Sequence, residues 1–383
     1  MASIDFKHTP FGELAIVSMR GCEEISKKVD NYLQQWRGTP EDKTFIIPTT
    51  CPRFGTGEAK GVVHHTARGL DVYIMCDMFN YGVTYKMYGS DVPMSPDDHY
   101  QDLKRIIAAM AGKARRITVI MPMLYEGRQH RRSTRESLDS ALALQELVAM
   151  GVSNIITFDA HDPRIQNAIP LNGFDNVQAT YQMIKALLRA EPDIKLDKEN
   201  AMIISPDEGG TGRCIYYSSV LGLEMGMFYK RRNYSVVVNG RNPIEAHEFL
   251  GNDVAGKDVI IVDDMIASGD SMLDIAVKLK EKKAARIFMF ATFGLFVEGL
   301  AKFDDFYKRG LLDQVFTTNL VYAKDELLER EWYTRVDMSK YIAYLIDTLN
   351  YDNSISKLLD PVDRIKAALD KHNAKLNDAQ LKI

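Results

Sequence analysis

Cysteine is scarce: four residues (Cys22, Cys51, Cys76 and Cys214) in a chain of 383, with no C-x-x-C pair. That spacing argues against a disulfide framework or a structural zinc site and fits a reducing compartment. Long apolar runs are missing. No stretch reaches the ~18 residues of a membrane helix. The opening Met-Ala-Ser-Ile-Asp-Phe-Lys-His lacks the apolar core of a signal peptide. There is no basic surplus either: Lys and Arg number 48 against 52 Asp and Glu, a formal charge of −4. A nucleic-acid binder would usually show such a surplus. With 25 Gly and 13 Pro the chain is not collagenous, and 46% hydrophobic with 26% charged residues is not the balance of a disordered one. The expectation is a globular, cytoplasmic protein with neither nucleic acid nor membrane as partner.

What is present is alternation. Short apolar runs bounded by turn residues predict strands at 13–18, 44–47, 71–75, 116–121, 154–158, 201–205, 224–229, 259–262 and 287–291. Several are almost wholly apolar, as expected of strands buried on both faces. Helical spacing lies between them. Residues 137–150 put Leu138, Leu142, Leu144, Leu147 and Val148 around one side, and 271–283 put Met272, Ile275, Ala276 and Leu279 at i, i+3, i+4, i+7. This predicts an α/β fold with mainly parallel sheets. The alternation occurs twice, with a break near 160–172. The segment 77–98, rich in Tyr, Met and Gly, is expected to be a long inserted loop, and 323–383 a charged helical extension.

The sharpest local signal is Val259-Ile260-Ile261-Val262-Asp263-Asp264-Met265-Ile266-Ala267-Ser268-Gly269-Asp270-Ser271-Met272. An apolar strand ends in two adjacent carboxylates, and a short turn then opens an amphipathic helix. The start of a helix exposes unpaired N–H groups and the positive end of its dipole. Small residues let those amides approach an anion, which makes a phosphate site of Ser268, Gly269, Asp270 and Ser271. Asp263 and Asp264 are placed to accept from sugar hydroxyls, directly or through a metal. The same residues also serve a helix capped by Asp270 beside a solvated acidic turn, and spacing alone leaves both readings open. No G-x-x-x-x-G-K-[ST] loop occurs, and Gly55–Gly61 has the wrong spacing for a dinucleotide fingerprint.

V-I-I-V-D-D-M-I-x-S-G-x-S resembles the phosphoribosyl-binding signature of phosphoribosyltransferases and of ribose-phosphate pyrophosphokinases. Further segments resemble the pyrophosphokinase motifs, in that family's order. Phe54-Gly-Thr-Gly-Glu58 is similar to its adenine-contacting F-x-[ND]-x-E. Tyr125-Glu-Gly-Arg128-Gln129-His130 is similar to Y-x-R-Q-D. Asp159-Ala-His161 is similar to a strand-end D-L-H. Ser205-Pro-Asp207-Glu-Gly-Gly-Thr-Gly-Arg213 is similar to S-P-D-x-G-G-x-x-R, and Lys230-Arg231-Arg232 to the K-x-R of a mobile loop. The likeness spans roughly residues 10–320, on the family's motif order.

The resemblance implies two phosphoribosyltransferase-like domains, each a mainly parallel sheet flanked by helices: an ATP-side domain at 1–163 and a ribose 5-phosphate-side domain at 164–322, followed by the helical extension 323–383. It implies transfer of pyrophosphate from Mg-ATP to the C1 hydroxyl of ribose 5-phosphate, giving 5-phosphoribosyl 1-pyrophosphate and AMP. Phe54, Glu58, Arg128 and Gln129 would then bind ATP, and His161 and Asp207 would hold Mg²⁺. Asp263, Asp264, Ser268, Gly269, Asp270 and Ser271 would bind ribose 5-phosphate, with Lys230 and Arg232 as the catalytic cations. It also implies a homo-oligomer built from dimers. The alternatives are a catalytically silent regulatory relative and a phosphoribosyltransferase. Arg115, Arg116, Arg128, Arg131, Arg132 and Arg135 are expected to form one basic cluster for polyphosphate.

The chain departs from the family pattern in several places. His130 stands for an Asp, Ala267 for an acidic residue, Asp270 for a Gly, Thr56 for Asn or Asp, and Phe293 for a His. A carboxylate in a phosphate cradle should repel the ligand unless it turns outward.

Overall fold

The computed structural model describes residues 9–40, 43–232 and 244–380, with backbone alone at 230–232, 244–247 and 379–380. Elements run in the order β1 (Glu13–Ser18), α1 (Glu23–Arg37), β2 (Thr49–Thr50), β3 (Val62–Val63), β4 (Leu70–Met75), β5 (Thr84–Met87), β6 (Ser90–Pro93), α2 (Pro96–Ala109), β7 (Arg116–Ile120), α3 (Asp139–Ala149), β8 (Asn154–Phe158) and β9 (Gly173–Val177). They belong to a compact unit that holds the chain through Ala179 together with Asn319–Tyr322 and Asp337–Asp360. Its five-stranded sheet has the order β1-β4-β7-β8-β9, parallel throughout. β4 is buried at every residue, as an apolar strand covered on both faces must be.

The second unit takes Thr180–Thr318, Ala323–Val336 and the chain from Pro361 on. Its elements are α4 (Thr180–Ala190), β10 (Ala201–Ser205), α5 (Thr211–Leu221), β11 (Glu224–Arg232), β12 (Ile244–Leu250), β13 (Asp258–Ile266), α6 (Asp270–Glu281), β14 (Ile287–Gly294), α7 (Ala301–Lys308), β15 (Gln314–Thr318), α8 (Asp325–Leu328) and β16 (Tyr333–Val336). They form a seven-stranded sheet, β12-β11-β10-β13-β14-β15-β16, in which the β11–β12 pair alone is antiparallel. On α6, Met272, Ile275, Ala276 and Leu279 are all buried, so the predicted stripe is its core face. The chain then adds α9 (Ser339–Asn350) and α10 (Ser356–Leu359) to the first unit and α11 (Val362–Gln380) to the second.

The α/β expectation holds, with corrections. Residues 44–47 form no strand; only Ile46 bridges to Ile16, because Thr44 and Phe45 are held by the buried Asp30 carboxylate. The segment 77–98 is not a loop. It carries the β5–β6 hairpin and then a capping box, in which Ser95 accepts from Asp98 N and the Asp98 side chain returns to Ser95 N. Leu142 faces solvent, not the core. The extension is not all helix, since β16 adds the last strand of the second sheet. The basic cluster also divides. Arg115 and Arg116 stand at the start of β7, where Arg116 makes a two-pronged ion pair with the buried Asp71 and packs over Phe11. Residues 128–135 follow the strand's other end.

Candidate active site

In open parallel sheets ligands bind at the carboxyl ends of strands. In the second unit, β10 ends at Ser205, whose hydroxyl donates to the Asp207 carbonyl at 2.7 Å. The Asp207 Oδ1 then accepts from Gly209 N at 2.9 Å and Gly210 N at 3.2 Å, shaping the turn into α5. Gly210 packs where a side chain would press on Ser205 Oγ and the Val262 carbonyl, which sets this turn beside β13. Arg213, one turn into α5, lies 3.6 Å from Asp263 Oδ1. The structure therefore brings Arg213 to Asp263 and sets the Asp207 turn beside the strand that carries it. Arg213, the last residue of the Ser205–Arg213 motif, is thus a site residue that the motif alone does not single out.

Asp263 and Asp264 are not beyond the strand. β13 continues to Ile266 because β14 runs alongside it, pairing Asp263 with Ala291, Met265 with Phe293 and Ile266 with Gly294. Strand alternation therefore points the two carboxylates to opposite faces. Asp264 is buried, and its N–H donates to Asp263 Oδ1 at 2.9 Å. Burial, and then the neighbouring Asp264 carboxylate, push Asp263 well above the usual carboxylate range.

After β13 the chain turns at Ser268 and enters α6. Gly269, not Asp270, is the N-cap; it adopts φ 87°, and any side chain there would run into the Phe303 ring. Phe303 is itself fixed by stacking on buried Trp332 at 5.4 Å. Asp270 is the first helical residue. Its carboxylate turns to Lys302, 2.7 Å away, which also bonds Glu298 at 2.6 Å. The hydrogen bond from Lys302, with help from the Ser268 hydroxyl, lowers the Asp270 carboxyl from its ordinary value. Ser268 and Ser271 stand at this helix start, their surroundings partly open. Lys302 could not be found from sequence, since it lies on another helix and in no motif.

In the first unit the loops after β7 and β8 meet. His130 Nε2 lies 3.3 Å from Asp162 Oδ2, and its ring meets that of His161 edge-on at 5.5 Å. Arg164 grips Asp162 with a fork, at 2.9 and 2.6 Å, and so holds its carboxyl down to about 2. His130 thus takes up contacts with the strand-end histidine loop. Arg128 is exposed, while Gln129 spends an amide N–H on the Ser137 carbonyl at 2.9 Å.

Phe54 and Glu58 sit on a separate tight loop closed by Phe54 N to the Glu58 carbonyl at 2.7 Å. Phe54 is 55% exposed, an unusual state for an aromatic side chain, and Glu58 accepts from Thr56 at 2.9 Å. Both loops lean on α2: Arg53 pairs with Asp102 at 3.0 Å, and Tyr125 donates to Asp97 at 2.6 Å. Lys230 and Arg232 are in β11, backbone-paired with His247 and Ile244 across a register shift, and 233–243 lie outside the described residues.

Comparison with known proteins gives one family. Residues 14–151 match the model of the N-terminal domain of ribose phosphate pyrophosphokinase, and 235–360 that of the phosphoribosyl synthetase-associated domain. Together these cover more than half of the chain. A ribose-phosphate pyrophosphokinase of Vibrio cholerae is 29% identical over 319 residues, covering 81% of this chain and 90% of that protein. One of Pasteurella multocida is 28% identical over 312 residues, again covering 81% and 90%. In fold, the chain is similar to the crystal structure of phosphoribosylpyrophosphate synthetase from Mycobacterium smegmatis, with TM-score 0.72 and 18% identity over 89% of this chain and all of that one.

Proposed function

Because this chain belongs to the ribose-phosphate pyrophosphokinase family, we propose that it transfers the β,γ-pyrophosphoryl group of ATP to the C1 hydroxyl of ribose 5-phosphate. The C1 oxygen attacks the β-phosphorus, the bond from that phosphorus to the AMP oxygen breaks, and the hydroxyl proton leaves. The products are AMP and 5-phosphoribosyl 1-pyrophosphate.

Such a transfer needs alignment and charge neutralisation more than covalent help. Ser268–Ser271 hold the 5-phosphate on the amides that open α6. Asp263 takes the ribose hydroxyls and so fixes the C1 oxygen, while Asp264, on the other face of β13, steadies the Asp263 carboxylate through its N–H. Phe54 and Glu58 hold adenine, by its face and its exocyclic amine. Arg128 and Gln129 reach the nucleotide, with Gln129 exchanging its bond to Ser137. Lys230 and Arg232 neutralise charge developing toward AMP. Asp207 and His161 are each magnesium contacts. The Asp207 carboxylate is the kind of oxygen donor this ion takes, beside phosphate oxygens and water. When bound, the metal neutralises phosphate charge. The protein works as a homo-oligomer built from dimers in the cytoplasm; among the described residues no helix is long and apolar enough to cross a membrane.

The β13–α6 turn is the observation that carries this reading. It joins a close-packed Gly269, a helix start and the Asp263–Asp264 pair within one segment. The test is AMP formation from Mg-ATP with and without ribose 5-phosphate. Sugar-dependent AMP supports the reading, and its absence points to a silent relative. Release of pyrophosphate from 5-phosphoribosyl 1-pyrophosphate with a nucleobase would instead make the protein a phosphoribosyltransferase.

A further inference from the structure

The β5–β6 hairpin lies in the segment 77–98, which the family motifs leave unexplained. Its turn is Tyr88-Gly89, with φ of 48° and 82°. Such a turn favours Asn-Gly or Asp-Gly, because a bulky side chain at positive φ is strained. Tyr88 is nonetheless 80% exposed, so no packing against the core selects it. Strain of this kind persists where the surroundings over-determine it, often at a ligand clamp. Here the surroundings are the 54–58 loop. Tyr88 N donates to the Gly55 carbonyl at 2.8 Å. Gly57, at φ 94°, lies so close to Met87 that a Cβ would meet its sulfur at 2.9 Å, with the Tyr85 ring at 3.8 Å. Tyr85 is in turn covered by the Arg53 guanidinium at 4.7 Å. The hairpin is thus fastened to the loop through residues 85, 87 and 88, and its tip presents a second exposed aromatic, Tyr88, whose backbone is bonded to Gly55, the residue that follows Phe54 in the chain.

We propose that Tyr88 is a nucleobase-contacting residue: it supplies a second aromatic face, beside Phe54, for the adenine of the nucleotide substrate. This rests on the reading of 54–58 as the adenine loop. An exposed, backbone-fixed tyrosine loses little side-chain freedom when a base stacks on it, and every base offers a π-face.

The test uses the full chain with Tyr88→Asn, Tyr88→Phe and Phe54→Ala. Calorimetric titration with Mg-ATP is set beside titration with inorganic tripolyphosphate, which has no base. Asn suits positive φ, so Tyr88→Asn keeps or raises Tm, and a failure to fold is not at issue. The expected result is ATP binding weakened by roughly 5- to 150-fold in Tyr88→Asn, the range that one base–aromatic stack contributes. Tyr88→Phe retains wild-type affinity, and tripolyphosphate binding is unchanged in both. KM for ATP rises while KM for ribose 5-phosphate holds. Wild-type ATP affinity in Tyr88→Asn, with Phe54→Ala weakened, overturns the proposal and leaves the adenine loop standing. Wild-type affinity in both removes the loop reading as well. Altered assembly with unchanged ATP affinity also overturns it, and makes the two aromatics a subunit contact.

Discussion

Lys302 Nζ lies 2.7 Å from Asp270 Oδ1, and Asp270 is the first residue of α6. The carboxylate that departs from the family's glycine is therefore neutralised by a cation from the next helix. Both side chains are about half exposed, so the pair adds little to stability. Its effect would fall on the 5-phosphate proposed to bind beside it. Lys302→Ala is expected to raise KM for ribose 5-phosphate about three- to tenfold, from the uncompensated charge in partly screened solvent. Adding Asp270→Gly should restore most of that loss. Steady-state kinetics of the two single variants and the double variant check this, and strict additivity would uncouple the residues.

Lys230→Ala tests the cation assigned to the transition state. A positioned cation of this kind contributes on the order of 3–5 kcal/mol to lowering the barrier. The expected outcome is a kcat several hundred-fold lower or more, with ATP affinity close to wild type. Turnover and calorimetry on the same preparation separate the two.

Gly269→Ala should strike the turn itself. A methyl group at φ 87° is strained and has the Phe303 ring in its path. The expected cost is about 1–3 kcal/mol of stability, together with weaker binding of ribose 5-phosphate but not of ATP. Thermal melts with each ligand read both effects.

Asp77 predicts a pH dependence of stability. It is buried and accepts from Phe79 N at 3.0 Å and Tyr322 N at 2.7 Å, and burial raises its carboxyl from 3.8 to about 6. Between those values the folded chain binds more protons than the unfolded one, so stability falls as pH rises from about 4 to 6 and stays lower above. The swing is on the order of 2–3 kcal/mol. Asp77→Asn should flatten it in denaturant titrations across that range, although it gives up one acceptor oxygen.

The strands at 154–158 and 201–205 were legible to the residue, because nearly continuous apolar runs have no other stable place than a covered sheet. The α6 stripe was legible for the same reason. β9, Gly-Phe-Asp-Asn-Val, and β16, Tyr-Thr-Arg-Val, carry too many polar residues to announce themselves. They occupy sheet edges, where pairing and not burial fixes the strand. Asp263 and Asp264 were expected past the end of a strand, yet they lie within it, since β14 across from them keeps the chain extended. The Lys302–Asp270 and His130–Asp162 pairs each join residues 32 apart in the chain, a relation that no local pattern encodes.

The central claim is that a diphosphate moves intact to the C1 oxygen of the sugar. Phosphorus NMR of the products from Mg-ATP and ribose 5-phosphate tests it most directly. The prediction is AMP together with two coupled phosphorus signals from a diphosphate on C1, in equal amounts. ADP with a single phosphate on C1, or ATP left unchanged by the sugar, would contradict it.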